Sequence, residues 1–308
     1  MARCAKSLLQ QTYGDKEILF VDDASPDQSV AILEALLPAY PNVSVRVVRH
    51  ATNRGLAAAR LTGLTAAKGD YIVSVDSDDY LEPNALDLLV QQAQETDADI
   101  VGMDGWFEWG EERRPYHGTW SSDAGKYTKY LLNGRTLPGV CLHMVRRDLY
   151  TRSGLKPIEG LNNGEDYALM PRLAYFANTI ARVTQPVYHY TQTNPDSFTH
   201  IVSPDNIRQL IRAVEVLTAF FADKPAYEQA LRAGQWLKKT DLFLRADRND
   251  YALVQTMPAN APLVTTTMTI PQRLAARLVA RERWTVLWHY SRIYQRWMTT
   301  IQKMKGRQ

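Results

Sequence analysis

Acidic residues follow an apolar run in the first third of the chain, where Asp76-Ser77-Asp78-Asp79 comes directly after residues 71–75. Open α/β sheets bind ligands outside the carboxyl ends of their parallel strands, and this cluster stands at such an end. Carboxylate oxygens select hard divalent cations such as Mg²⁺ or Mn²⁺, and a diphosphate can lie beside acids only with such a cation between them. The spacing therefore predicts a site for a complex of a divalent metal with a nucleotide.

A second pair of acids, Asp22-Asp23, ends another predicted strand. Helical and β-branched stretches alternate through the first two-thirds of the chain, which is the pattern of βαβ units. The pattern predicts strands over 17–22, 43–48, 71–75, 179–183 and 187–190, and helices over 2–12, 29–37, 56–67, 84–94 and 165–177, with a kink or early end at Pro171. We expect an α/β fold with a mostly parallel central sheet flanked by helices, in which both sets of acids converge on one edge.

The bulk composition is that of a globular protein, with 308 residues of which 45% are hydrophobic and 22% charged. A shift to helical sequence near residue 204 predicts an α/β domain over 1–203 and a helical C-terminal region over 204–308. Cys4 and Cys141 lie far apart without metal-ligand spacing, so neither a disulfide framework nor a zinc site is predicted. No signal peptide and no run of about 20 apolar residues is present, so we expect a cytoplasmic protein.

The last segment, residues 271–308, holds nine Lys or Arg residues and the single acid Glu282, a net charge of +8. Tryptophan, leucine and isoleucine side chains are interspersed, a mixture typical of basic amphipathic helices at anionic membrane surfaces. We therefore expect contact with a membrane surface through 271–308, and a peripheral position on the inner face of the membrane. A helix packed back on the protein and a partner-binding helix stay open as alternatives. No recognition motif accompanies the charge, so nucleic acid is not an expected partner.

Four short stretches occur in a characteristic order, and together they resemble the inverting family 2 glycosyltransferases. They are Ser-Leu-Leu-Gln-Gln-Thr-Tyr at 7–13, Glu-Ile-Leu-Phe-Val-Asp-Asp-Ala-Ser at 17–25, Asn-Arg-Gly-Leu at 53–56 and Asp-Ser-Asp-Asp at 76–79. The resemblance covers roughly residues 1–200. It implies the nucleotide-diphospho-sugar transferase fold, which is GT-A-like, and metal-dependent inverting transfer of a sugar. The implied partners are a nucleotide-diphospho-sugar donor and a glycan or lipid-linked acceptor in cell-surface polysaccharide synthesis.

The resemblance also implies roles for the residues that bind the donor. Asp23, with Asp22 beside it, would accept hydrogen bonds from the nucleobase, although an Asx-turn or helix cap explains the same residues. The loop Asn53, Arg54 and Gly55 would lie next to the nucleotide. In the acidic cluster, Asp78 would be the ligand of Mg²⁺ or Mn²⁺, Asp76 would contact the ribose or the metal shell, and Asp79 would be an additional acid or a turn cap.

The catalytic base is implied by the pair Glu165 and Asp166, which follows Asn162-Asn163-Gly164. In the family the Asp of this pair takes the proton of the acceptor hydroxyl, so Asp166 is the expected base and Glu165 an acid that orients the acceptor. Two acids stabilised by the N-terminus of a helix are the simpler alternative. His200 resembles a residue that sometimes completes the diphosphate site.

The chain departs from the family pattern at its start, because family members begin with an apolar strand and a loop before the helix that contains residues 7–12. A start codon chosen too late is the expected explanation, and a shortened product is the other. A truncated, non-catalytic homologue that binds a nucleotide or a partner is therefore an alternative function. An aspartyl phosphatase is a weaker one, because its Asp-x-Asp belongs on the first strand and requires a later Lys with paired acids.

Overall fold

The computed structural model describes residues 1–193, 202–259 and 262–305, so His200 lies outside the described residues. The strands are β1 (Glu17–Asp22), β2 (Ser44–Arg49), β3 (Tyr71–Val73), β4 (Tyr80–Leu81), β5 (Ile100–Trp109), β6 (Glu112–Tyr116), β7 (His143–Arg146) and β8 (Ile180–Thr191). The helices are α1 (Ala2–Leu9), α2 (Ser29–Leu36), α3 (Leu56–Ala66), α4 (Ala85–Thr96), α5 (Ala124–Leu132), α6 (Arg147–Ser153), α7 (Glu165–Phe176), α8 (Pro204–Phe220), α9 (Glu228–Arg245), α10 (Tyr251–Gln255), α11 (Ile270–Ala280) and α12 (Trp284–Lys305).

The chain divides into two compact units. The first comprises Met1–Tyr127 and Pro138–Asn194, and the second comprises Thr128–Leu137 and Pro195–Gln308. The expected boundary at 203/204 stays a prediction. Among the described residues, no helix is both long enough and apolar enough to cross a membrane.

The first unit has the α/β architecture that the sequence predicts, and its strand pairing is mixed. β1 and β2 pair in parallel as a two-stranded sheet, while a six-stranded sheet has the order β3-β7-β5-β8-β4 with β6 on β5. In that sheet β5 and β8 are parallel, and the other pairings are antiparallel. The short strands β4, β6 and β7 make these antiparallel pairs, and they come from stretches in which the sequence shows no clear period.

Alternating apolar residues anchor the two-stranded sheet. Ile18 and Phe20 of β1 point to one side, where they pack against Leu33 of α2 and against Ala5 and Leu9 of α1. Successive side chains of a strand point to opposite faces, so this alternation fixes which face of β1 is covered. The same packing fixes where the strand ends and hence where Asp22 and Asp23 lie.

The larger sheet is held by a core in which Leu89 and Ala93 of α4 pack against Val101 and Met103 of β5 and against Tyr188 of β8. The two strands predicted over 179–190 are one continuous strand, β8. Its pairing register shifts where Asp104 meets Pro186. Proline has no N–H to donate to a sheet, and a bulge accommodates it.

Helix α7 runs through Pro171 to Phe176, so the early end predicted at this proline is not found. Pro171 is itself buried, as is most of the helix around it. Tertiary burial therefore outweighs the hydrogen bond that a helical proline cannot donate.

The open edges of β1 and β3 border a cavity of about 1240 Å³ within the first unit. β1 is bonded to β2 on one edge, and β3 is bonded to β7 on one edge. Every residue from 17 to 23 and from 70 to 77 lines the cavity, including neighbours whose side chains point to opposite faces. This pattern shows that the backbone edges themselves face the cavity, since only an edge presents successive residues to one space.

Candidate active site

Carboxylates from three separate segments meet in this cavity. Asp22 and Asp23 stand at the end of β1, Asp76 follows β3, and Glu165 and Asp166 occupy the first turn of α7. All of them line the same cavity. The strand ends and the helix start that the sequence predicts thus bring together acids that are up to 144 residues apart in the chain, from Asp22 to Asp166.

A buried arginine, Arg60 of α3, joins acids from two of these segments. Its Nη2 lies 2.9 Å from Asp76 Oδ1, and its Nη1 lies 2.8 Å from Glu165 Oε1 and 2.5 Å from Asp166 Oδ1. The guanidinium side chain is 10% exposed. One positive charge therefore faces three carboxylates, and the cluster keeps an excess of negative charge.

The protonation of this cluster follows from burial and from that excess. Burial raises the pKa of the Glu165 carboxyl to about 8, and the charge of Asp166 adds to the rise. Burial also raises the pKa of Asp166, against the lowering effect of Arg60. For Arg60, burial alone would lower the pKa, but Asp166, Asp76 and Glu165 outweigh it and raise the pKa well above its usual value. The arginine is thus permanently charged, while Glu165 beside it can hold a proton near neutral pH.

The carboxylate of Asp23 holds the loop 53–55 in place. It accepts hydrogen bonds from the backbone N–H of Arg54 at 2.9 Å and of Gly55 at 2.7 Å, and His50 Nδ1 lies 2.6 Å from it. Burial alone would raise the pKa of Asp23, but these hydrogen bonds outweigh it and keep the pKa below its usual value. Asp23 is therefore an ionised anchor for the loop.

Gly55 is required by its backbone and by its neighbour. Its φ is +88°, and a Cβ built on it would lie 2.3 Å from the side chain of Asn162. Asn162 Oδ1 in turn accepts a hydrogen bond from Ala57 N at 3.0 Å, at the start of α3. The glycine thus lets the loop before α7 reach the first turn of α3, the helix that carries Arg60.

Of the other residues predicted to bind the nucleotide, Asp22 lines the cavity and the loop 53–55 lies outside it. Asp22 Oδ1 accepts a hydrogen bond from Ser25 N at 2.9 Å, the turn contact that the sequence leaves open as an alternative. Asn53 is exposed, and the Arg54 side chain is held by Glu159 at 2.5 Å. The loop residues 53–55 do not line the cavity, although their backbone is fixed by an acid that does.

Asp78 and Asp79 have different surroundings. Asp79 is buried, accepts hydrogen bonds from Tyr188 OH at 2.6 Å and Thr191 N at 2.7 Å, and burial raises its pKa to about 7. Asp79 therefore ties the acidic loop to β8. Asp78 is half-buried and does not line the cavity, while its backbone carbonyl accepts a hydrogen bond from Thr191 Oγ1 at 2.8 Å. Within the described ranges, no three His, Cys, Asp or Glu side chains are grouped so that they could hold a metal ion.

Sequence reasoning missed two residues of the site, Arg60 and His50. Arg60 is the only charged residue in α3, a helix otherwise made of small, apolar and hydroxyl residues. A single charged residue in such a helix was the sequence signal that could have indicated a site residue. His50 directly follows β2, so its position at a strand end was a second signal.

A second charge cluster lies outside the cavity, around the buried residue His189. Its Nδ1 is 2.8 Å from Glu108 Oε1 and its Nε2 is 2.9 Å from Glu82 Oε1. Tyr80 donates its hydroxyl to Glu108 at 2.7 Å and stacks on the imidazole ring. Both ring nitrogens are therefore occupied by protein groups.

Known proteins resemble the chain in both sequence and fold. Residues 1–152 match the family model described as glycosyl transferase family 2. The uncharacterized glycosyltransferase EpsJ of Bacillus subtilis (strain 168) is 32% identical over 206 residues, which cover 64% of this chain and 58% of EpsJ. The chain spans about half the length of the curated relatives it matches.

Solved structures extend the likeness to nearly the whole chain. The crystal structure of S. aureus TarS 1–349 in complex with UDP-GlcNAc has a TM-score of 0.61 at 19% identity, covering 94% of this chain and 82% of that one. The mannosyltransferase PcManGT from Pyrobaculum calidifontis, in complex with GDP-Man and Mn²⁺, has a TM-score of 0.54 at 18% identity, covering 93% and 79%. The fold is therefore the GT-A fold.

Proposed function

The chain belongs to glycosyl transferase family 2 through residues 1–152, and from that premise we propose that it transfers a sugar from a nucleotide-diphospho-sugar to a hydroxyl group. The hydroxyl belongs to a glycan or a lipid-linked acceptor, and the product is part of a cell-surface polysaccharide. The observation that supports this proposal best is the convergence of Asp76, Glu165 and Asp166 on Arg60, in a cavity that Asp22 and Asp23 also line.

In the proposed reaction, Asp166 takes the proton of the acceptor hydroxyl. The hydroxyl oxygen attacks the anomeric carbon from the face opposite the diphosphate, so the new C–O bond forms as the bond to the diphosphate breaks. A single displacement without a protein nucleophile inverts the anomeric centre. Burial keeps the pKa of Asp166 above its ordinary value, which makes it a stronger base than an exposed aspartate. Glu165, on the adjacent position, orients the acceptor.

The donor would lie between the end of β1 and the acidic loop after β3. Asp22 and Asp23, with the loop Asn53, Arg54 and Gly55, form the end that recognises the nucleobase. This assignment is supported by the contacts of Asp23, which fix the backbone of that loop beside the cavity. Arg60 Nε is buried and has no hydrogen-bond partner among the described residues, so it is a donor that suits an anionic diphosphate.

In this proposal the acidic loop would supply the protein ligands of a divalent cation. Asp78 and Asp76 offer carboxylate oxygens, the ligands that Mg²⁺ and Mn²⁺ prefer, and the cluster around Arg60 has an excess of negative charge. Mg²⁺ is commonly held by one or two carboxylates together with substrate phosphates, so the site does not need three protein ligands. When bound there, the cation supplies Lewis-acid stabilisation of the departing diphosphate. We assign Asp78 as its ligand and Asp76 as a contact to the ribose or the metal shell.

Donor binding and turnover test this proposal together. We expect the purified full chain to bind a nucleoside diphosphate in the presence of Mn²⁺ by calorimetry, and to release the diphosphate from a panel of nucleotide sugars. Asp78→Asn should weaken binding and turnover because it removes a charged oxygen ligand. The matched control is Asp205→Asn, an exposed acid on α8. Binding without turnover would favour the non-catalytic alternative, and neither binding nor turnover with any donor would refute both.

A further inference from the structure

Large apolar side chains are exposed along the last two helices. Ile270 is 74% exposed and Leu274 is 46% exposed on α11, while Val286, Ile293 and Trp297 of α12 are 55%, 67% and 50% exposed. The two helices pack on each other, so these are not single apolar residues scattered over the surface, which would need no explanation. These five residues, here called the apolar stripe, therefore need an explanation.

Helical geometry places the α12 members of the apolar stripe on one side. Val286, Ile293 and Trp297 are separated by seven and four residues, so they lie within one narrow sector of a helix with 3.6 residues per turn. A different side of α12 packs inside the second unit, because Leu287 and Ser291 are buried and lie about 100° to 140° around the helix from Val286. Helix α12 therefore has two apolar faces, one that packs inside the protein and one, the apolar stripe, that is exposed.

Arginines accompany the apolar stripe. The exposed arginines are Arg277 and Arg281 on and after α11, Arg283 between the helices, and Arg292 and Arg296 on α12. Arg277 and Arg281 continue the face of α11 that begins with Ile270, at spacings of seven and eleven residues. None of the five arginines forms an ion pair with a residue in the described part of the chain. Their charge is therefore available to an anionic partner.

We propose that the apolar stripe and these arginines dock on the surface of an anionic lipid bilayer. Apolar side chains beside arginines on the exposed side of a helix match the two zones of a membrane interface, the acyl boundary and the charged headgroups. The charge of this segment matches an anionic surface, because residues 271–308 include nine basic residues and one acid. The helices would lie in the interface plane, with tryptophan at the headgroup level. This surface belongs to the second unit alone, so the inference does not depend on the proposed function.

Co-sedimentation of the full chain with lipid vesicles tests the inference. We expect binding to vesicles of phosphatidylcholine mixed with phosphatidylglycerol, weak binding to phosphatidylcholine alone, and a loss of binding at high salt, where charges are screened. Removing two arginines, as Arg292→Ala with Arg296→Ala, should weaken partitioning by about fivefold for each. Changing Val286, Ile293 and Trp297 to serine should weaken it by more than about tenfold. These positions are exposed, and circular dichroism would verify that the variants fold.

The control is Ile32→Ser, another exposed apolar residue, on α2, which should leave vesicle binding unchanged. Equal binding to neutral and anionic vesicles would contradict the role of the arginines. No vesicle binding at all would overturn the inference. It would also be overturned if the triple serine variant bound vesicles as the wild type does, or if the only effect of that variant were to abolish self-association seen by analytical ultracentrifugation.

Discussion

Two clusters of acidic and basic side chains in the first unit are built alike, but only one of them lines the large cavity. In each, a basic side chain lies between acids from distant segments. Arg60 is held by Asp76, Glu165 and Asp166. His189 is held by Glu82 and Glu108, and Glu108 also lies 3.7 Å from Arg3. The Arg60 cluster has more acids than one arginine can neutralise, and it lines the large cavity. The buried Nε of Arg60 has no hydrogen-bond partner in the part of the chain that the structure describes. In the His189 cluster both ring nitrogens are bonded, and none of His189, Glu82 and Glu108 lines that cavity.

This difference suggests that the Arg60 cluster is a functional site and that the His189 cluster supports the structure. Buried polar groups stabilise a fold only when each is hydrogen-bonded, as both ring nitrogens of His189 are. An excess of like charge, as around Arg60, costs stability, and such perturbed groups are typical of functional sites. Variants of the two clusters should therefore separate activity from stability.

The largest expected effect is on turnover. Asp166→Asn should lower kcat by about 10²–10⁴-fold, because it removes the proposed base. It should not lower the melting temperature, since burial disfavours the charge that the variant removes. Nucleotide release and thermal unfolding would measure the two effects.

The matched variant for Asp166→Asn is Glu108→Gln in the His189 cluster. We expect it to lower the melting temperature while each folded molecule keeps its turnover. If Glu108→Gln reduced kcat as strongly as Asp166→Asn does, the distinction between the two clusters would be wrong.

The next largest effect is on stability. Arg60→Ala leaves three acids without their common partner and should lower the free energy of unfolding by about 3–5 kcal/mol at pH 8. The loss should be smaller at pH 5, because Glu165, whose pKa is about 8, is then protonated and needs no counter-charge. Urea unfolding at the two pH values would measure both.

His189→Ala provides the comparison for Arg60→Ala. It leaves Glu108 and Glu82 with an unmet hydrogen bond each and should cost about 1–3 kcal/mol. A loss for His189→Ala as large as that for Arg60→Ala would remove the contrast between the paired and the overcharged cluster.

The smallest effect concerns pH dependence. The pKa of Glu165 rises from 4.5 to about 8 on folding, so between these values the folded state binds more protons than the unfolded state. The contribution of this group to stability is therefore present below pH 4.5 and is lost as the pH rises to 8. Glu165→Gln removes the titration, so the variant should gain stability relative to wild type over that range, by up to a few kcal/mol.

Chemical denaturation from about pH 4.5 to about pH 8.5 would reveal this relative gain. Glu111→Gln, an exposed glutamate in the turn between β5 and β6, is the control and should follow the wild-type curve. A flat difference between Glu165→Gln and wild type would show that Glu165 titrates normally in the folded protein.

The sequence could predict where chain segments begin and end more readily than what they contact. The strand 17–22 and the helix start at Glu165 are found as expected, because alternation of apolar residues and the sequence Asn-Asn-Gly mark them locally. These boundaries sufficed to place the acids around one cavity, although β1 and β3 belong to two separate sheets. The family and the α/β fold were accordingly predictable.

Contacts that depend on how elements rotate and approach were not predictable. Arg60 reaches Asp76 and Asp166 because the side of α3 that carries it faces the cavity. No local sequence pattern predicts this orientation of the helix. The open edges of β1 and β3 and the bulge opposite Pro186 likewise result from tertiary packing. Asp78 was assigned by position in a motif, and its direction relative to the cavity could not be read from that motif.

The close approach of Gly55 to Asn162 restricts position 55 in two independent ways. Its backbone, with φ +88° and ψ 168°, lies in a region that is essentially open to glycine alone, and the side chain of Asn162 fills the space that a Cβ would need. A smaller residue at 162 removes the second restriction and leaves the first. Libraries that randomise 55 and 162 together should therefore return glycine at 55 in the folded proteins, whatever residue stands at 162.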